Sequence, residues 1–238
     1  MKQSSAETDP KIYVIIPAFN EQDSIGKVIT DIPQGLAHEV IVVSNASTDE
    51  TEKNAQDAGA TVLREENKGY GFACLKGLSY LAQKPADQRP DIVVFIDGDY
   101  SDFPGEMPDL VKPILDQEYD LVIGSRALGE RESGAMAPQQ IFGNWLATSL
   151  IKLLYKVEFT DLGPFRAVAY DKLLEIDMQD TTFGWTVEMQ VKAAKLKMRC
   201  TEVPVNYRRR IGVSKITGTI RGTIMAGYKI LWTIFKLL

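Results

Sequence analysis

Three carboxylates follow a short apolar run in the stretch VVFIDGDYSD, which extends from Val93 to Asp102. Asp97, Asp99 and Asp102 come directly after four residues suited to the interior of a sheet. Because like charges repel and a lone carboxylate is costly to remove from water, this cluster needs a compensating positive charge. Asp97 and Asp99 flank a glycine that lets the backbone turn, and hard oxygen ligands of this kind suit Mg2+ or Mn2+. The alternative is that the acids only solvate a loop or cap a helix, which we expect for Asp102 because Pro104 follows it.

Histidine and cysteine chemistry is nearly absent from the chain. Its one histidine, His38, precedes a strand-like run, and its two cysteines, Cys74 and Cys200, have unrelated neighbours and no C-x-x-C spacing. This composition excludes histidine-based triads and multi-histidine metal sites, and it indicates neither a disulfide framework nor a zinc site. A reducing compartment is therefore expected.

The elements that must position the acidic cluster alternate between strand-like and helix-like stretches. Five continuous apolar runs are typical of strands covered on both faces: KIYVIIP, EVIVVS, ATVLRE, DIVVFID and YDLVIGSR. Helices are predicted between them, at about 21–29, 47–58, 69–82 and 107–115. This alternation predicts an α/β fold with a mostly parallel central sheet and helices on both faces. Ligands of such sheets bind beyond the carboxyl ends of the strands, where the acidic cluster lies.

The second half of the chain is less regular. A loop rich in glycine and polar residues at 129–137 precedes a predicted helix at about 142–155, and another helix contains WTVEMQVKAAK. The strand CTEVPVNY and the basic loop RRRIGVSK follow. Since no internal repeat or low-complexity linker is visible, we predict one domain over residues 11–215 and a C-terminal helix at 216–238. Residues 1–10 are a flexible polar lead without the apolar core of a signal peptide.

Charge is unevenly distributed along the chain. The first 191 residues hold 16 basic and 31 acidic residues, a balance of −15, whereas the remaining 47 hold 11 basic residues and one acid. A basic C-terminal segment on an acidic body indicates an anionic partner, for which phosphates or lipid headgroups fit. No recognition motif supports nucleic acid, which we therefore do not expect.

The C-terminal segment TIRGTIMAGYKILWTIFKLL is apolar but carries Arg221, Lys229 and Lys236. At 100° per residue these cations fall within an arc of roughly 80°. Apolar residues occupy the other side, namely Ile220, Ile224, Leu231, Ile234, Phe235 and Leu238. The pattern predicts an amphipathic helix lying in a membrane interface, and the absence of an 18-residue uncharged run argues against a spanning helix. The alternative is that the apolar face packs on the domain or on a second subunit, which leaves a homo-oligomer open.

An ordered series of motifs carries a family resemblance. VIIPAFNE, VVSNASTDET, NKGYGFACLKGL and VVFIDGDYSD together resemble the nucleotide-sugar domain of family-2 glycosyltransferases of the GT-A fold. LVIGSR, TDLGPFRA and EVPVNYRRRIGVSK look like the subgroup that makes dolichyl- or polyprenyl-phosphate sugars. The resemblance extends over residues 11–215, and the series is more specific than any single motif.

The resemblance implies a donor site for a nucleoside diphosphate sugar at the strand ends. Pro17, Ala18 and Glu21 would contact the base and the ribose. Asp97 would lie near the ribose and the metal, and Asp99 would coordinate the cation that bridges the diphosphate.

Two parts of the donor site leave alternatives. Asn45 stands where the family commonly has an acid that faces the base, and Ser44 replaces a second acid. Asn45 keeps a carbonyl acceptor but loses the charge, so the identity of the base stays open. The resemblance assigns Arg209 and Lys215 to the diphosphate, on a loop that closes over the donor and excludes water. A solvated basic loop is the alternative.

Four further residues are assigned to the acceptor side. Arg126 could hold an acceptor phosphate, because arginine suits bidentate phosphate contacts. The resemblance places Asp161 near the acceptor, where it would act as general base toward a hydroxyl, or only orient groups if the acceptor is an ionised phosphate. In the alternative in which Asp161 is structural, Arg166 would be its partner. Trp185 and Glu188 share one helical face and belong to the acceptor wall, with a core role as the alternative for Trp185.

The resemblance thus implies an inverting, metal-dependent hexosyltransferase with a UDP-glucose or GDP-mannose type of donor. The expected acceptor is polyprenyl or dolichyl phosphate at the cytoplasmic face of a membrane, which the C-terminal helix would contact peripherally. Two alternatives stay open. One is transfer to a soluble hydroxyl acceptor with Asp161 as base. The other is a non-catalytic protein that binds nucleotide sugars, for which Ser44 and Asn45 are the best support.

Overall fold

The computed structural model describes residues 9–212 and 220–238. Within them, seven strands form one sheet: β1 (Ile12–Ala18), β2 (Glu39–Asn45), β3 (Thr61–Glu65), β4 (Ile92–Phe95), β5 (Leu121–Ser125), β6 (Arg166–Ala169) and β7 (Cys200–Pro204). Their order across the sheet is β3-β2-β1-β4-β6-β5-β7. Neighbouring strands are parallel except where β6 pairs antiparallel with β4 and with β5.

Eight α-helices flank the sheet in the same residues: α1 (Ile25–Thr30), α2 (Thr51–Asp57), α3 (Tyr70–Ala82), α4 (Met107–Leu115), α5 (Pro138–Tyr155), α6 (Tyr170–Ile176), α7 (Trp185–Lys195) and α8 (Ile220–Lys236). The predicted limits of α3 and α4 agree with the structure. The first two helices begin later than predicted. In the loop before α2, Ser47 accepts the backbone N–H of Asn20 and so links two loops at the edge of the sheet.

Strands β1 and β4 are apolar along their length because both sheet faces are covered. Every residue of β1 is buried. Tyr13 and Ile15 belong to the core on the side of α3, α5, α6 and α7, whereas Val14 and Ile16 belong to the core on the side of α1, α2 and α4. The predicted α/β class with a mostly parallel, doubly covered sheet is confirmed.

The strand β6 has no counterpart in the sequence prediction. It is four residues long and begins at Arg166, so it lacks the long apolar run that marks β1 or β4. The Arg166 side chain is fully buried, and its guanidinium donates to the backbone carbonyls of Gly163 and Thr186. Burial lowers the pKa of Arg166 to about 10. This arginine therefore ties the turn before β6 to the start of α7.

Helix α8 packs against the domain and also presents an apolar face to solvent. Ile234 is fully buried, and the Tyr155 hydroxyl donates to its carbonyl at 2.6 Å. Lys229 faces the domain, where its ammonium group lies 2.8 Å from the Asp180 carboxylate. Exposed apolar residues of α8 include Ile224, Met225, Tyr228, Trp232 and Phe235. None of the helices among residues 9–212 and 220–238 is long and apolar enough to cross a bilayer.

Candidate active site

Three loops at the carboxyl ends of β1, β2 and β4 converge on one cavity. Each loop contains a non-glycine residue with a left-handed backbone, namely Asn20, Ala46 and Tyr100, at φ of 54°, 56° and 63°. Such conformations are costly and concentrate at functional sites. The cavity, which we call the strand-end cavity, has a volume of about 430 Å3. Six of the predicted donor residues line it: Pro17, Ala18, Glu21, Asn45, Asp97 and Asp99.

The two acids at the end of β4 are held differently. Asp99 is almost fully buried, its Oδ1 accepts the N–H of Ser101 at 2.9 Å, and its Oδ2 lies 2.8 Å from a guanidinium nitrogen of Arg210. Asp97 Oδ1 is buried without a hydrogen-bond partner among the described residues. Burial and the neighbouring Asp99 charge raise the pKa of Asp97 to about 7. The charges of Arg210 and Arg126 act in the opposite direction but do not outweigh these two causes.

A divalent cation fits the chemistry of this pair. The unpartnered Asp97 oxygen and the repulsion between the two carboxylates are features that a hard cation relieves. No group of three or more acidic, histidine or cysteine side chains suited to a metal occurs within the described part of the chain. Two carboxylates still suffice for Mg2+ or Mn2+ when substrate phosphates and water complete the coordination.

The basic segment after β7 brings one arginine to the acids, and it is not the predicted one. Arg209 is exposed, and its Nε donates to the carbonyl of Ser133 at 2.7 Å. Arg210 instead lines the strand-end cavity and pairs with Asp99. Arg208 anchors the segment, with its guanidinium 3.4 Å from the centre of the Tyr100 ring. Lys215, predicted at the diphosphate, lies outside the described residues.

Asp102 does not act as a loop or helix cap. It is 1% exposed, and neither of its carboxylate oxygens has a hydrogen-bond partner among the described residues. A β-bridge between Asp102 and Tyr207 covers it with the basic segment. Burial, with the charge of Asp97 as the second cause, raises the pKa of Asp102 well above its usual value.

Asn45 uses its side chain to shape the loop before α3. Its carbonyl accepts the N–H of Gly69 at 2.8 Å, and its amide donates to the carbonyl of Asn67 at 2.6 Å. Both ends of the amide are thus engaged by backbone groups, although the residue lines the strand-end cavity. A carboxylate at this position could not donate a hydrogen bond to the Asn67 carbonyl. This bond is a local structural reason for an asparagine at position 45.

A second, smaller cavity adjoins the first. It measures about 260 Å3, lies against α5 and α8, and shares Tyr70, Asp97 and Phe183 with the strand-end cavity. We call it the adjoining cavity. Arg126 and Trp185 line it as well. Within the described chain, the Tyr70 hydroxyl and the Trp185 indole N–H are buried without hydrogen-bond partners, like Asp97 Oδ1.

Arg126 and Asp161 form one buried unit. The Arg126 side chain donates to both Asp161 oxygens at 2.8 and 2.7 Å, and its backbone N–H adds a third bond at 2.8 Å. Burial would raise the pKa of Asp161, but the Arg126 charge and hydrogen bonds outweigh it and hold the pKa below its usual value. Arg126, rather than Arg166, is the partner of Asp161. This carboxylate is ionised, engaged and weakly basic.

The two predicted acceptor residues of α7 are placed differently. Trp185 is 1% exposed and meets the Phe95 ring edge-on at 5.9 Å, so it belongs to the core while its indole also borders the adjoining cavity. Glu188 lies away from that cavity. Its carboxylate accepts the N–H of Asp180 at 2.7 Å and pairs with Lys192 at 2.8 Å. Its observed contacts are therefore structural.

Several lining residues escaped the sequence analysis. Phe19, Lys68, Thr182, Phe183 and Arg210 all border the strand-end cavity. Phe19 lies inside the motif VIIPAFNE and Arg210 inside RRRIGVSK, so the motifs held a signal for them. Thr182 and Phe183 come from a loop before α7 that only the tertiary fold brings to the strand ends.

Known proteins resemble this chain in sequence. The family model described as Glycosyl transferase family 2 matches residues 13–175. An uncharacterized glycosyltransferase of Mycobacterium tuberculosis is 33% identical over 217 residues, covering 90% of this chain and 94% of that protein. An undecaprenyl-phosphate mannosyltransferase of Micrococcus luteus is 28% identical over 227 residues, covering 89% of this chain and 90% of the relative.

A solved structure shares the fold. Glucosyl-3-phosphoglycerate synthase from Mycobacterium tuberculosis, in complex with Mn2+, uridine-diphosphate-glucose and phosphoglyceric acid, matches with a TM-score of 0.74. The match covers 96% of this chain and 80% of that one at 24% identity.

Proposed function

Because this chain belongs to glycosyl transferase family 2, we propose that it transfers a hexose from a nucleoside diphosphate sugar to a polyprenyl phosphate. Membership makes it a glycosyltransferase that takes its sugar from a nucleotide sugar. The sugar, the base, the metal and the lipid acceptor are the proposed parts.

The strand-end cavity is the observation that carries the donor site. It brings the ends of three strands together around Asp97 and Asp99, and its volume of about 430 Å3 suits a ligand of nucleotide size. A divalent cation bound by the two acids would neutralise charge on the departing diphosphate. Arg210, which lines the cavity and pairs with Asp99, would contact the same phosphates.

The hexose would lie where the two cavities meet. Tyr70 and Asp97 border both cavities and carry buried polar atoms without partners in the described chain, and Trp185 adds a third such atom. Unsatisfied buried polar groups are costly, so a ligand rich in hydroxyl groups accounts for them.

The adjoining cavity supports an anionic acceptor. Arg126 supplies a cation on its wall. A phosphate acceptor is already ionised at neutral pH and needs no strong base, which suits an Asp161 whose pKa is lowered. We therefore propose that Asp161 positions Arg126. Catalysis would come from alignment of acceptor and donor and from stabilisation of the leaving diphosphate.

A lipid fits the surroundings of this cavity. Exposed apolar residues lie on both helices that border it, including Phe142 and Trp145 of α5 and Tyr228 and Trp232 of α8. We propose that this face contacts the cytoplasmic side of a membrane. The similarity to undecaprenyl-phosphate mannosyltransferase supports a polyprenyl acceptor.

A soluble acceptor is the second candidate. The solved relative contains phosphoglyceric acid, a small phosphate-bearing acid, beside its nucleotide sugar. Arg126 could hold such a phosphate in the same way. Transfer assays with polyprenyl phosphate and with phosphoglyceric acid separate the two candidates.

The donor site is tested by calorimetry with UDP-glucose, GDP-mannose and UDP, each with Mn2+ or with chelator. We expect metal-dependent binding of one donor, and its loss in Asp99→Asn. Asp109→Asn, in the first turn of α4 and away from the cavity, is the control and should bind like the wild type. Failure of the wild type to bind any of the three nucleotides would contradict the proposal.

A further inference from the structure

One wall of the strand-end cavity is the loop of residues 179–184, which we call the wall loop. Its Thr182 and Phe183 line the cavity. The carbonyl of Thr181 accepts the N–H of Phe72 at 3.0 Å, which attaches the loop to the first turn of α3. A Cβ added at Gly71 would lie 2.0 Å from the carbonyl oxygen of Asp180. The wall loop therefore rests directly on the backbone that opens α3.

Two carboxylates hold the wall loop in shape. Glu188 accepts the N–H groups of Gln179 and Asp180, at 3.1 and 2.7 Å. Asp180 Oδ1 accepts the N–H groups of Thr182 and Gly184, at 2.8 and 3.1 Å. The second Asp180 oxygen, Oδ2, points to α8 and lies 2.8 Å from Lys229 Nζ. Asp180 thus folds the loop with one oxygen and ties it to α8 with the other.

Helix α8 is firmly seated behind this contact. Ile234 is fully buried, and Thr233 packs so close to Gly184 that a Cβ there would lie 2.5 Å from the threonine hydroxyl. The Asp180 side chain is only 7% exposed, whereas Lys229 is 33% exposed. Removing the lysine would leave a nearly buried carboxylate without its counter-ion, which is far costlier than losing a surface ion pair.

We propose that Lys229 is a positioning residue for the donor, acting through Asp180 on Thr182 and Phe183. The inference rests on the proposed function, since it takes the strand-end cavity as the nucleotide-sugar site. The amphipathic pattern alone placed Lys229 on the basic face of a helix at a membrane interface. The ion pair of Lys229 with Asp180 instead makes α8 part of the support of the wall loop. The position of α8 would therefore affect how tightly the donor is bound.

Hydrogen exchange and nucleotide binding test the proposal together. In Lys229→Met, we expect faster amide exchange in residues 179–184 and roughly tenfold weaker binding of the preferred nucleotide, within the range for contacts coupled to a distant site. Lys229→Arg should restore both, because it keeps the charge. Lys236→Met removes an exposed cation of the same helix and should change neither.

The outcomes separate this inference from the proposed function. Unchanged exchange and affinity in Lys229→Met, in a protein whose wild type binds nucleotide, would overturn the inference alone. Equal effects of Lys229→Met and Lys236→Met would also overturn it, because any loss of charge on α8 would then suffice. A wild type that binds no nucleotide would overturn the proposed function and, with it, the donor half of the inference. The exchange result would still decide whether Lys229 holds the wall loop.

Discussion

Asp97, Asp99 and Asp102 lie within six residues, yet each carboxylate meets different surroundings. Asp99 is paired with Arg210, Asp97 has a buried oxygen without a partner, and Asp102 is enclosed with neither oxygen bonded in the described chain. Sequence spacing identified the cluster but could not assign these differences. They depend on which residues of the distant basic segment cover the loop.

Asp102 should make folding stability fall as the pH rises. The pKa of Asp102 in the folded protein is raised well above the ordinary value of about 4. At pH values between the unfolded-state pKa and the folded-state pKa, the folded protein therefore binds a proton that the unfolded chain lacks. Stability then falls by up to about 1.4 kcal/mol per pH unit in that window. Asp102→Asn carries no such proton, and we expect urea midpoints that fall less between pH 5 and 7.

Asp120→Asn is the matched control for this experiment. The pKa of Asp120 is lowered, because its hydrogen bonds and ion pair with Arg199 outweigh burial. Its contribution is therefore complete above pH 5, and the variant should be less stable than the wild type by a constant amount. Parallel pH profiles of wild type and Asp102→Asn would show that Asp102 is not protonated on folding.

The choice between Arg209 and Arg210 shows where residue-level prediction ends. Neighbouring side chains of an extended segment point to opposite sides, so a shift of one residue exchanges their roles. Here the segment is fixed by backbone hydrogen bonds, which the N–H groups of Arg208 and Ile211 donate to the carbonyls of Ser101 and Asp99. Those pairings span more than a hundred residues of sequence and leave no local signal.

At the scale of elements, the first helices and the parallel strands were predictable because continuous apolar runs and turn residues mark them. The strand β6 was not, since four residues beginning with arginine carry no strand pattern. Its position between β4 and β5 follows from tertiary pairing alone. The same insertion brings Leu162, which precedes it, to the wall of the adjoining cavity.

The packing of α3 on the wall loop depends on a glycine. Gly71→Ala would place a methyl group 2.0 Å from the Asp180 carbonyl oxygen, so backbone must shift. We expect a loss of about 1–3 kcal/mol of stability together with weaker nucleotide binding. Thermal unfolding and calorimetry measure the two effects.

Gly26→Ala in α1 is the matched substitution for comparison. A Cβ there meets nothing within 4 Å, and alanine favours a helix over glycine by up to about 1 kcal/mol. This variant should be as stable as the wild type or more so. If Gly71→Ala behaved like Gly26→Ala, the close approach of the wall loop to α3 would be refuted.

At the scale of the whole molecule, the basic C-terminal segment serves several purposes. Composition predicted an anionic partner for it as a unit. In the structure Arg208 stacks on Tyr100, Arg210 pairs with Asp99 and Lys229 pairs with Asp180. These cations contact groups of the same chain and so are less available to an anionic partner. The exposed apolar side of α8 is therefore a stronger argument for membrane contact than the basic charge of the segment.

Vesicle co-sedimentation tests that surface. We expect the wild type to bind vesicles that contain anionic lipid, and the double variant Trp232→Ser/Phe235→Ser to bind markedly less, because interfacial affinity scales with buried apolar area. Leu174→Ser, on the exposed surface of α6, is the control. Equal sedimentation of the wild type and the double variant would remove α8 from the contact.

The place of β6 in the sheet also bears on how the chain is made. On a ribosome β5 emerges before either of its neighbours, because β6 and β7 both lie later in the sequence. Until residues 166–169 appear, β4 and β5 expose apolar, unpaired edges that other nascent chains could pair with. Arg210, which pairs with Asp99, also emerges after β6. A chain synthesised only as far as β5 would therefore be prone to aggregation and would lack the arginine that pairs with Asp99. Its safe synthesis depends on how fast the residues from β6 onward emerge.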